Sequence, residues 1–115
     1  MSGAADGDAA AGAVFAALAD ATRLAVLRGV VEQGPATATE LAARLPVSRQ
    51  AVAKHLAVLE GAGLVVGERA GRERRFSAST APLAEAERWL ARAGSAWDRR
   101  LDRLAALARR GTAPH

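Results

Sequence analysis

Between Thr37 and Gly63 the sequence TATELAARLPVSRQAVAKHLAVLEGAG encodes two helices with almost nothing between them. Thr37 and Glu40 have the spacing of a capping box, and Leu41 and Leu45 lie one turn apart, which predicts a short helix starting at Thr37. Pro46 and Val47 leave room only for a tight connection. Ser48 stands where an N-cap would open a second helix, and Gly61 and Gly63 stop that helix about four turns later. Two helices joined by roughly three residues make a helix-turn-helix.

The flanking sequence extends this unit on both sides. Upstream, Val14, Phe15 and Leu18 recur at helical spacing, and the pattern restarts at Leu24, Leu27, Val30 and Val31. Asp20 sits at the N-cap between the two helices, and Gly34 followed by Pro35 ends the second. Downstream, Leu64 to Arg69 and Glu73 to Ala78 read as the strands of a hairpin that turns at Ala70, Gly71 and Arg72. In the last segment Leu83, Leu90, Trp97 and Leu104 repeat every seven residues, the stripe of a long helix that Gly94 and Ser95 are placed to bend. The prediction is mainly α with a small β-hairpin, in the order α-α-α-α-β-β-α. One domain spans residues 9–110, with a flexible tail over 1–8 and a frayed one over 111–115.

Composition limits what such a chain can do alone. Of its 115 residues 31 are Ala and only 26 are Leu, Val, Phe or Trp, so few large side chains are available to a core. Sharing a core with a second copy is the expected remedy. Without Cys there is no disulfide, thiolate metal site or thiol nucleophile. The N-terminus has neither the basic start nor the apolar core of a signal peptide, and no apolar run reaches the ~18 residues of a membrane span, so the expected location is the cytoplasm. The +4 net charge is uneven. Residues 1–43 carry two cations against five acids, residues 44–75 seven against three, and residues 76–115 seven against four. All but one of the 16 cations are Arg, whose planar fork suits phosphate and guanine.

On a helical wheel the second helix of the central pair divides cleanly. Val52, Leu56 and Leu59 form an apolar stripe, while Arg49, Gln50, Ala53, Lys54 and Ala57 fall opposite. Polar groups at the N-terminal end with small Ala residues behind them suit entry into a DNA major groove. Arg49 matches guanine, Gln50 matches adenine, and Lys54 reaches guanine or phosphate. Ser48 and the first-turn amides offer a phosphate seat. A plain solvated face is the alternative. In the hairpin Arg69, Arg72, Arg74 and Arg75 cluster near the tip; alternation sends Arg74 and Arg75 to opposite faces, so at most some of the four touch DNA. His55 is expected to be a half-buried core residue bonded to a backbone carbonyl, since no partner ligand lies at metal-binding spacing. No catalytic constellation, metal site or cofactor loop is legible, which makes an enzyme the least favoured reading. Trp89, Leu90, Trp97, Leu101 and Leu104 form a stripe larger than a small monomer covers, which suggests a homodimer; packing on the first two helices is the alternative, and a ligand pocket between subunits would add to either.

From Val14 to Leu107 the chain resembles ArsR-type (arsenic-repressor-like) winged helix-turn-helix regulators, most specifically in TELAARLPVSRQAVAKHLAVLEGAGLV and also in FAALADATRLAVLRGV, GRERRFSA and WDRRLDRL. The resemblance implies a homodimer joined through its first and last helices, adding Val14, Phe15 and Leu18 to the interface, and paired recognition helices in successive major grooves of double-stranded DNA. It implies a repressor on a palindromic operator, with a small-molecule effector that no residue identifies. Where metal-sensing members often carry Cys, this chain has Leu41, Ala42, Ala43 and Arg44, and its last helix lacks His, so it is similar to a non-metal branch. A winged-helix module that turns its basic face to an acidic protein is the competing expectation.

Overall fold

A computed structural model describes residues 3–111, with side chains described for residues 7–109. The elements run α1 (Gly3–Leu18), α2 (Ala21–Gln33), β1 (Ala36–Thr37), α3 (Ala38–Ala42), α4 (Arg49–Gly61), β2 (Val65–Ala70), β3 (Glu73–Ala78) and α5 (Ala81–Gly111). The mainly helical winged helix-turn-helix is therefore observed, with one strand more than expected. Ala36 and Thr37 pair antiparallel with Phe76 and Arg75, so β3 is the centre of a three-stranded sheet ordered β1-β3-β2. Two residues are too few for an alternation pattern, and their pairing is set by β3 rather than by their own sequence.

Short polar side chains fix where the helices begin. Asp20 Oδ1 accepts the Arg23 N–H at 2.8 Å to open α2, and the N–H of Gly34 closes it on Val30 O at 3.0 Å. At α3 the capping box is complete: Thr37 Oγ1 accepts the Glu40 N–H at 3.1 Å, and Glu40 Oε1 accepts the Thr37 N–H at 2.8 Å. Ser48 Oγ accepts the Ala51 N–H at 3.1 Å to start α4. The connection between α3 and α4 is longer than predicted, because α3 tightens after Ala42. Arg44 N bonds Leu41 O and Leu45 N bonds Ala42 O, three residues back instead of four, ahead of Pro46.

The termini differ from expectation in one respect. Residues 3–8, expected in a flexible tail, belong to α1. Ala favours helix, and Asp8 is tied down where its Oδ1 accepts the Trp89 Nε1–H of α5 at 2.6 Å. Of the tail expected at 111–115, only Gly111 lies within the described residues. The last helix is continuous through Gly94 and Ser95.

The core gathers around α4. Val52, Leu56 and Leu59 are fully buried against Val26, Leu27 and Val30 of α2, Leu41 of α3, and Leu64, Val65 and Phe76 of the sheet region; Val14 and Ala17 of α1 and Ala86 of α5 complete it. At the hairpin tip Gly71 has φ 65° and the φ of Arg72 beside it is not positive, as a type II′ turn with Gly first requires. Leu56→Ala is expected to lower the unfolding free energy by about 2–5 kcal/mol, against less than about 0.5 kcal/mol for Val58→Ala on the exposed side of the same helix. Urea unfolding at fixed protein concentration measures both.

Candidate nucleic-acid interface

Because Val52, Leu56 and Leu59 point inward, the opposite side of α4 is presented to solvent. Ser48, Arg49, Gln50, Ala53, Lys54 and Ala57 are all exposed. The hairpin stands beside this face, leaving a groove of about 310 Å³ whose walls include Arg49, Ala53 and Ala57 of α4, Arg72 of the turn, and Glu73 and Arg74 of β3. The small Ala side chains keep the helix backbone close to whatever enters.

Arg74 fastens the wing to the far end of α4. Arg74 reaches the C-terminal turn of α4, where its Nη1 and Nη2 donate to Glu60 Oε1 and Oε2 at 2.9 and 2.6 Å. Its Nη2 also donates to Gly67 O at 3.0 Å, and its guanidinium lies 5.1 Å from the Phe76 ring centroid. Gly67 makes this path open, since a Cβ there would stand 2.6 Å from Arg74 Nη2 and 2.8 Å from Phe76. The Arg74 hydrogen bonds hold the Glu60 carboxyl below its usual range. On the other face of β3, Arg75 Nη1 donates to Glu40 Oε1 at 3.1 Å and to Pro35 O at 3.2 Å. Glu40 is lowered too, first by the Thr37 N–H and then by Arg75.

The four wing arginines thus separate. Arg74 and Arg75 serve as struts on opposite faces, whereas, among the described residues, Arg69 and Arg72 have no hydrogen-bond or ion-pair partner. Gln50 and Lys54 are likewise unengaged among the described residues. Arg49, by contrast, is held. Its Nε donates to Thr39 Oγ1 at 2.9 Å, and Glu73 Oε1 lies 3.7 Å from its Nη2. Thr39, Glu60 and Glu73 were not legible as site residues; the one signal was an acid inside the cationic run GRERR.

His55 is half-buried, and its Nδ1 is enclosed with no hydrogen-bond partner among the described residues, so the expected carbonyl bond is not made at that nitrogen. Among the described residues no three His, Cys, Asp or Glu side chains gather as a metal site would require.

The residues expected at a dimer interface also separate. Val14 is buried within the chain, and Phe15 packs edge-on against Trp89 with ring centroids 5.7 Å apart, so these residues join α1 to α5 in one protomer. Leu18 packs at the core margin. Leu90, Trp97, Leu101 and Leu104 are more than half exposed, with Leu107 continuing their stripe.

Residues 18–68 match a family described as a helix-turn-helix domain. An uncharacterized HTH-type transcriptional regulator of Bacillus subtilis, YuzN, is 43% identical over 62% of this chain and 84% of its own length. The HTH-type transcriptional regulator Rv2034 of Mycobacterium tuberculosis is 46% identical over 59% of this chain and 63% of its own. Among solved structures, an ArsR-like transcriptional regulator from Rhodococcus sp. RHA1 superposes with TM-score 0.78 at 46% identity, covering 87% of this chain and 93% of that one.

The Glu60–Arg74 contact sets an acid limit on the wing. A carboxyl whose folded pKa lies below its unfolded value adds stability above the ordinary glutamate range and loses it as pH falls through the folded value. Between about pH 6 and pH 3 the thermal midpoint of the wild type is therefore expected to fall more steeply than that of Glu60→Gln. Parallel slopes would contradict the contact.

Proposed function

Because the chain belongs to the ArsR-like helix-turn-helix regulators of transcription, we propose that it is a cytoplasmic homodimeric repressor that occupies an imperfect palindrome in promoter DNA. The observation that carries this reading is the division of α4: a fully buried apolar stripe behind an exposed face bearing Arg49, Gln50 and Lys54. Placed in a major groove, that face offers a guanine reader, an adenine reader and a second cation one turn on. Arg72, unengaged at the tip of the wing, and Arg69 beside it meet the flanking backbone, where a guanidinium adds affinity without sequence preference.

Support for dimerisation comes from α5. Thirty-one residues of helix extend about 46 Å, and the radius of gyration is 20.3 Å where a compact chain of this length has about 13 Å. Among the described residues its distal apolar stripe is exposed, and a second copy supplies an identical stripe. In the dimer the two α4 helices face DNA with half-sites about 34 Å apart. Bound promoter DNA is then closed to transcription, and a small-molecule effector would act by changing the spacing of the two helices.

Arg49→Ala is expected to weaken binding to the selected operator by about 1–3 kcal/mol and to relax preference at one base position, whereas Arg72→Ala weakens all duplexes alike and lowers the salt slope by about one. The wild type should prefer operator to random duplex by at least ~10³ at ~150 mM salt. If Arg49→Ala alters neither affinity nor preference, α4 is not the reading helix; salt-dependent binding without preference would favour an acidic protein partner. Leu101→Glu, on the exposed stripe, is expected to yield folded monomers in sedimentation, and an unchanged dimer would remove α5 from the interface.

A further inference from the structure

Arg49 is held in one orientation before any DNA arrives. Thr39 Oγ1 accepts from its Nε at 2.9 Å and donates to Glu73 Oε1 at 2.7 Å, and the same carboxylate oxygen lies 3.7 Å from Arg49 Nη2. Three elements meet in this contact: the first residue of α4, the second of α3 and the first of β3. A guanidinium has two edges with paired donors, Nε with Nη2 along its side and Nη1 with Nη2 at its tip. The side edge is turned to Thr39 and Glu73, which leaves the tip edge to meet the O6 and N7 of a guanine.

Affinity alone gives no reason for an acid at this place. Glu73 stands in a groove also lined by Arg49, Arg72 and Arg74, where its charge opposes a phosphate backbone. Orientation does give a reason. A free arginine loses much rotamer freedom when it docks, and one held beforehand loses less.

We propose that Glu73, acting through the Thr39 hydroxyl, is a positioning residue that fixes the edge of Arg49 offered to DNA and so determines base preference at one operator position. The proposal rests on the reading of α4 as the DNA-facing helix. It makes the base of the wing part of sequence recognition rather than only a phosphate contact.

The test is selection from a random duplex pool with the full-length wild type, Arg49→Ala, Glu73→Gln and Thr39→Val, followed by affinities on single-position variants of the selected site. Arg49→Ala should erase a guanine preference at one position of each half-site. Glu73→Gln and Thr39→Val should each lower preference at that same position by about three- to tenfold, leave other positions intact, and add nothing in the Arg49→Ala background. Thr39 is exposed and Glu73 lies at the surface, and a matching thermal midpoint checks that each variant folds. Preference unchanged at that position in both variants overturns the proposal, whatever happens to overall affinity, because Glu73 then acts only by its charge. If Arg49→Ala itself leaves preference untouched, the assignment of α4 falls and this inference with it; an effect of Arg49→Ala without one from either partner overturns this inference alone.

Discussion

The burial of Val52, Leu56 and Leu59 decides most of what this molecule is. All three are fully enclosed, and they are enclosed by different elements: α2, α3 and the sheet each supply part of the wall. A helix gripped along one stripe cannot rotate without opening the core, at a cost of several kcal/mol per large side chain. The direction of Arg49, Gln50 and Lys54 is thereby fixed by residues buried on the opposite side of the helix. Function at this surface is a consequence of packing on the other side of the same helix.

A second layer of control is polar and lies around the ends of the elements. The Thr37 and Glu40 capping box holds α3, and Arg75 links the same Glu40 to the central strand. Arg74 performs the equivalent task at the far end of α4 through Glu60. The wing therefore has an anchor on each face of β3, while its tip, with Gly71 and Arg72, is exposed. Exposed ion pairs of this kind contribute little stability singly, so their value lies in setting the angle between wing and helix.

Signals that are local in sequence were legible, and signals that depend on tertiary meeting were not. Asp20, Thr37, Glu40 and Ser48 act within three residues of themselves, and each cap is found where its spacing put it. The apolar period of α4 is equally local. By contrast β1 exists because Phe76 and Arg75 offer it a ladder, and no property of Ala36 or Thr37 announces this. The roles of Thr39 and Glu73 arise from residues 34 apart in sequence. The wing arginines show the same division: four cations in seven residues read alike in one dimension, and only the fold distinguishes the two that brace β3 from the two without a partner among the described residues.

In the proposed homodimer α5 would join the two copies. Its first turns pack on α1 through Phe15 and Trp89, and its later turns carry an uncovered apolar stripe. The central claim, that the exposed side of α4 and the wing tip meet DNA, is tested most directly by amide chemical-shift perturbation. The isotope-labelled full chain would be titrated with a selected duplex and with a scrambled duplex of equal composition. Residues 48–54 and 69–73 are expected to shift most, more strongly with the selected duplex, while the packing of Val52, Leu56 and Leu59 is retained. Shifts concentrated on α1 and α5, or identical responses to both duplexes, would contradict it.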